Sequence, residues 1–165
     1  MHMTERKPES TEAGAPPFRS VAFMLSSLGF AVSRRFHHAL EPLGLEPGEF
    51  ALLRAVAASE GQPQSTLAER LHISPSWMVA IVDELEKRGL LERRPHAHDR
   101  RVRNLHLTAA GKRLQKQAVR TAQQFDRQVT DPLTEAEVQQ LFELLQRVAN
   151  GLDLKPGAAH AALRG

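Results

Sequence analysis

The sequence predicts a mainly α chain with one small β hairpin, and three observations carry that expectation. Apolar residues recur at three- and four-residue spacing through most of the 165 residues. Two short helical patterns meet at a tight turn, "HIS", at 72–74. Just beyond it, "LLERR" and "VRNLHL" flank the turn-forming "PHAHDR" and read as paired strands.

The elements follow in order. Residues 1–16 are polar and rich in Pro, Gly and acids, which predicts a disordered lead-in. From Phe18 a helix is expected, with Val21, Ala22, Leu25, Leu28, Val32, Phe36 and Leu40 on one face. Phe23, Phe30 and His37 run down a second face. A helix apolar on two faces must be covered twice. "EPLGLEP" breaks it, and Pro47 suits the first turn of the next helix, where its missing N–H costs nothing. Phe50, Leu52, Leu53, Val56 and Ala57 make that helix amphipathic, and "ASEGQP" reads as a loop.

Leu67, Ala68 and Leu71 mark a short helix before the turn. Pro75 opens a longer one with Met78, Ile81, Val82 and Leu85 inward, and Gly89 stands where a left-handed cap is expected. That pattern is a helix-turn-helix, and the hairpin after it is a wing. Thr108 caps a long helix bearing Leu114, Ala118, Thr121, Phe125 and Val129 on one face. Thr134 and Glu137 form a capping box for a last helix with Val138, Leu141, Leu145, Val148 and Leu152.

Charge is segregated. The chain totals +3, but residues 88–120 carry +8 and the remainder −5. Such a concentration points to a polyanionic partner more strongly than the total does. Zero Cys excludes disulfides, thiolate chemistry and Cys-based zinc sites. No run approaches the roughly 20 apolar residues that span a bilayer, and no leader pattern is read, so a cytoplasmic protein without membrane partners is expected. No nucleophile–base pair, paired pocket carboxylates or phosphate-cradling Gly loop is found, so no enzyme and no cofactor are expected. Eight His invite a metal reading. Adjacent His37 and His38 diverge by about 100° on a helix, and His96 and His98 sit at a hairpin tip, so no metal site is expected.

With Met78, Ile81, Val82 and Leu85 inward, the second helix of the pair turns Ser74, Ser76, Trp77, Val79 and Ala80 outward, toward a DNA major groove. Trp77 has two further readings: packing on the scaffold, or walling a ligand cleft. Arg93, Arg94, Arg100 and Arg103 of the hairpin would lie near phosphates.

"GLEPGEFALLRAV" (44–56), "LAERLHISPSWMVAIVDELEKRGLLERR" (67–94) and "DRRVRNLHLTAAG" (99–111) together resemble the MarR family of bacterial transcription regulators over about residues 18–150. The most specific element is the wing signature, Asp-x-Arg followed by Leu-x-Leu-Thr and a Gly three residues on. The resemblance implies a winged helix-turn-helix with N- and C-terminal dimerisation helices. It divides the chain into dimerisation helices at 17–46 and 109–152, a DNA-binding domain at 47–108 and a flexible tail at 153–165. It further implies a homodimeric repressor on palindromic double-stranded DNA, released by a small effector. Arg101 matches the family's second wing Arg and becomes the side chain expected in the minor groove, held by Asp99. Where many relatives have Thr-Arg this chain has Val79-Ala80, so apolar contacts and DNA shape are expected to outweigh bidentate guanine contacts. A cleft near Arg34, Arg35, His37, His38 and Trp77 would take an anionic aromatic effector, by analogy of fold alone. The alternatives are an architectural DNA-binding protein without an effector and a metal-sensing regulator.

Overall fold

The computed structural model describes residues 20–96 and 102–154. The expected lead-in at 1–16, the wing tip at 97–101 and the tail from 155 lie outside the described residues.

Helix α1 (Val21–Leu40) begins at Ser20, whose hydroxyl accepts from the Phe23 N–H at 3.2 Å. A single 3₁₀ turn, Glu41–Leu43, then reverses the chain through Gly44 at φ +62°, a conformation glycine adopts without steric penalty. Helix α2 (Pro47–Ala58) follows with Pro at its start and a reciprocal cap between Glu46 and Glu49. Strand β1 (Gln62–Pro63), helix α3 (Gln64–Leu71) and helix α4 (Pro75–Lys87) come next. His72 closes α3 at φ +52°, which costs a residue with a Cβ about 1 kcal/mol. Gly89 ends α4 at φ +67°, as the sequence predicts. Strands β2 (Leu91–Pro95) and β3 (Arg103–Leu107) form the wing, and α5 (Ala109–Thr130) and α6 (Glu135–Gly151) follow. The architecture is mainly α with a small antiparallel sheet, a winged helix-turn-helix followed by two long helices.

The sheet has three strands, ordered β1-β3-β2, where the hairpin alone predicts two. Gln62 and Pro63 read as loop because two residues, one of them Pro, carry no strand pattern. Their pairing with Leu105 and Asn104 exists only once β3 lies beside them.

One core fills the space between α2, α3, α4 and the sheet. Leu52, Leu53, Val56, Leu67, Met78, Val82, Leu85, Leu91 and Leu105 are all fully buried within it. Ala57, expected inward, is exposed, and Ala55 takes the buried place. Phe36 ties the long helices to this core, its ring lying 5.6 Å from Phe50 and 5.4 Å from Phe125. The first turn of α5 sits directly on the backbone after α4. A Cβ at Gly111 would stand 1.8 Å from the Leu90 carbonyl oxygen, so only glycine fits. Thr108 secures the same junction, donating to Gly89 O at 2.7 Å and capping the Gly111 N–H at 3.0 Å.

Helix α6 buries no residue, and Leu141, Phe142, Leu144, Leu145, Val148 and Leu152 are exposed along it. The outer half of α1 matches it, with Val21, Phe23, Met24, Leu28 and Phe30 exposed.

Candidate nucleic-acid interface

Helix α4 presents the face its apolar spacing predicts. Met78, Ile81, Val82 and Leu85 are buried, while Ser74, Ser76, Val79 and Ala80 are exposed. Ser74 also serves as the cap: its hydroxyl accepts from the Trp77 N–H at 3.3 Å and lies 3.2 Å from Ser76 Oγ. Trp77 is partly buried and packs against the core. Its benzo ring lies over Gly48, where an added Cβ would stand 2.9 Å from Cζ2, and Ile81 flanks the same spot. Of the roles considered for Trp77, the geometry supplies scaffold packing: the indole occupies space that a glycine on α2 leaves open.

The acids on α4 are unfavourable for a polyanion. Asp83, Glu84 and Glu86 stand against one base, Lys87. Positive charge comes from the hairpin, and strand register sorts it. Arg93 lies opposite the buried Leu105, so it points to the core side; Arg94 lies opposite Asn104 on the outer side. Arg93 therefore does not stand where the sequence suggests. Its guanidinium meets Asp83 at 2.5 Å and Glu86 at 2.5 Å, and Nε donates to Gln64 Oε1 at 3.2 Å. Arg94 is exposed but bonded to Glu92, two residues back on the same face. Arg103 is exposed on β3. Asp99, Arg100 and Arg101 lie outside the described residues. Between the strands, Asn104 Oδ1 is buried without a hydrogen-bond partner among the described residues.

A second polar group joins α4 to the elbow between α1 and α2. Arg88, the C-cap of α4, donates from Nη1 to both Glu49 oxygens (3.1 and 3.2 Å) and from Nη2 to Gly44 O (2.7 Å). Glu49 is 7% exposed and also accepts from the Glu46 N–H at 2.9 Å. Beside it, His37 Nδ1 faces Glu46 at 3.1 Å and His38 Nδ1 faces Glu41 at 3.0 Å. Arg34 and Arg35 are exposed. His37 and Trp77 thus approach α2 two residues apart, at Glu46 and Gly48, whereas the two arginines point to solvent.

The MarR family model matches residues 43–102, from the elbow to just before the second strand of the wing. A relative from Thauera aromatica is 31% identical over 105 residues; the match spans 64% of this chain and 63% of that protein. The transcriptional regulator MhqR of Bacillus subtilis is 32% identical over 113 residues, 68% of this chain and 76% of its own. The chain belongs to the MarR family. Among solved structures, the transcriptional repressor CouR bound to a 23-mer DNA duplex is 29% identical, with a TM-score of 0.73 over 79% of this chain and 92% of that one. CouR from Rhodococcus jostii RHA1 has also been solved with p-coumaroyl-CoA, at 30% identity, a TM-score of 0.68 and the same coverage.

Within this MarR-family regulator the sequence reading missed the acids. Asp83, Glu86 and Glu49 carry no motif in the sequence, yet each receives an arginine from another element. One signal was available for Glu49: it stands three residues after Glu46 at a helix start, the spacing of a reciprocal cap. No local signal pairs Asp83 with Arg93.

Proposed function

We propose that this protein is a cytoplasmic homodimeric repressor that binds palindromic double-stranded DNA and is released by a small anionic aromatic effector. The observation that carries the DNA-binding part is the exposed face of α4, Ser76, Val79 and Ala80, set beside a basic hairpin in a chain whose structural neighbour CouR is solved on a duplex. Ser74 and Ser76 are short donors for phosphates or base edges. Val79 and Ala80 suit thymine methyls. Arg100, Arg101 and Arg103 supply the wing's phosphate and minor-groove contacts, with Asp99 holding Arg101. The uncovered apolar faces of α1 and α6 support self-association, because a second copy would cover both.

The effector half draws on CouR's complex with p-coumaroyl-CoA. The region near His37, His38 and Trp77 at the start of α2 is its proposed seat, with Arg34 and Arg35 as the cationic side chains nearest in sequence.

Gel-shift titration of the full chain against genomic fragments tests the reading. A subset of fragments should bind far more tightly than the rest, sedimentation should give a dimer, and an aromatic acid should release the complex. Equal weak affinity for every fragment overturns it. Arg101→Ala should weaken the selected complex by about 1–3 kcal/mol, and an unchanged affinity removes Arg101 from the interface.

A further inference from the structure

The hairpin arginine that faces inward holds three elements together. Besides its contacts to Asp83 and Glu86 of α4 and Gln64 of α3, the Arg93 backbone N–H donates to Glu86 Oε1 at 3.0 Å. The guanidinium's planar fork makes such simultaneous, directional contacts possible, where an ammonium would supply only a point charge. Its side chain is 21% exposed, so little of its charge faces solvent. The two acids outnumber it, so this trio of side chains carries a net negative charge.

We infer that Arg93 is a positioning residue for DNA binding: held by Asp83 and Glu86, it sets the offset between the wing and α4. The inference rests on the DNA-binding reading above, in which α4 and the wing enter different grooves. Major and minor grooves alternate along a duplex at its helical repeat, so a wing free to shift against α4 would lose the match between the two sets of contacts. The acids are then needed on a helix where electrostatics alone disfavours them. That conflict makes the inference testable by its sign.

The test uses the full chain, a duplex that it selects from a random library, and a random-sequence duplex of equal length. Asp83→Asn is the deciding variant, since its side chain is 59% exposed and the change is isosteric. If charge alone mattered, removing this acid would tighten both duplexes equally and leave their affinity ratio unchanged. The inference expects the ratio to fall by roughly tenfold. Arg93→Gln should lower the ratio similarly while the slope of log K against log salt stays at the wild-type value. A phosphate contact would instead reduce that slope by about one. An unchanged ratio in Asp83→Asn, or a reduced slope in Arg93→Gln, overturns the inference. Should Arg93→Gln not fold, Asp83→Asn decides alone. A wild-type chain that selects no duplex removes the DNA-binding reading itself, an outcome distinct from either.

Discussion

The compact lobe from α2 to β3 and the long helices that flank it share the same three- and four-residue apolar spacing in their helices, yet they end differently. In the lobe, each apolar stripe finds a partner within the chain: Leu52 and Leu53, Met78 and Val82, and Leu91 and Leu105 are all buried. Helix α6 has the same periodicity and buries nothing, and α1 is covered only toward Phe36 and Leu40. The difference shows that amphipathic spacing states only that a face will be covered. What covers it depends on whether the chain can fold back onto that face. The 20-residue α1 and 22-residue α5 extend beyond the lobe, so the outer end of α1 and the apolar face of α6 are left exposed among the described residues.

The sharpest way to break this comparison is Leu145→Asp on α6. If a second copy covers that face, a buried charge should weaken self-association by at least roughly a hundredfold, read by sedimentation, with operator binding lost in parallel. The fluorescence of Trp77, the chain's one tryptophan, should report a lobe that melts nearly as before. A monomer that still binds DNA with wild-type affinity contradicts the division of labour.

Two smaller changes probe the seams between the regions. Gly111→Ala forces a Cβ against the Leu90 carbonyl and should destabilise the chain by about 1–3 kcal/mol in thermal unfolding. An unaltered midpoint would show that α5 can lift from the lobe without loss. Glu49→Ala strands the Arg88 guanidinium at the elbow. Loss of a fully buried pair typically costs about 3–5 kcal/mol. Because Arg88 is 29% exposed, about 2 kcal/mol is expected here in denaturant unfolding. Glu49→Gln, which keeps an acceptor, should lose less.

The smallest expected effects lie at acid pH. The Lys112 ammonium bonded to Glu60 holds that carboxyl below its ordinary range, and the Thr134 N–H and hydroxyl do the same for Glu137. A carboxyl lowered on folding stabilises the native state above its unfolded value and loses that contribution as pH falls through the folded value. Stability should therefore decline on the acid side, below the usual carboxylate range. Glu60→Gln and Glu137→Gln should each flatten that decline slightly in unfolding curves taken across pH. Identical curves for wild type and both variants would remove these contacts from the account.

Much of the architecture was legible. Pro47, Pro75 and Gly89 marked element ends because proline fixes its own φ and lacks an N–H, while glycine takes a left-handed φ that other residues avoid. The buried stripe of α4 followed from spacing alone, and its complement correctly listed the exposed Ser76, Val79 and Ala80. The hairpin arginines were less legible. Arg93 and Arg94 are adjacent and chemically identical, and only strand register sends one toward Asp83 and the other outward. Trp77 was open for the same reason: whether an indole is covered depends on the residue opposite, and Gly48 lies 29 positions earlier in the chain.

By itself the sequence determined the helices, the inward face of α4, the wing strands and the region where positive charge collects, because these depend on periodicity and on residues acting on their own backbone. Tertiary structure alone decided which charges are available. Asp83, Glu86, Arg93, Glu49 and Arg88 are paired across elements, and pairing depends on distances that only packing sets. It likewise decided that β1 is a strand and that α6 stands uncovered, since a hydrogen-bond ladder and a buried surface each require a partner that no local segment contains.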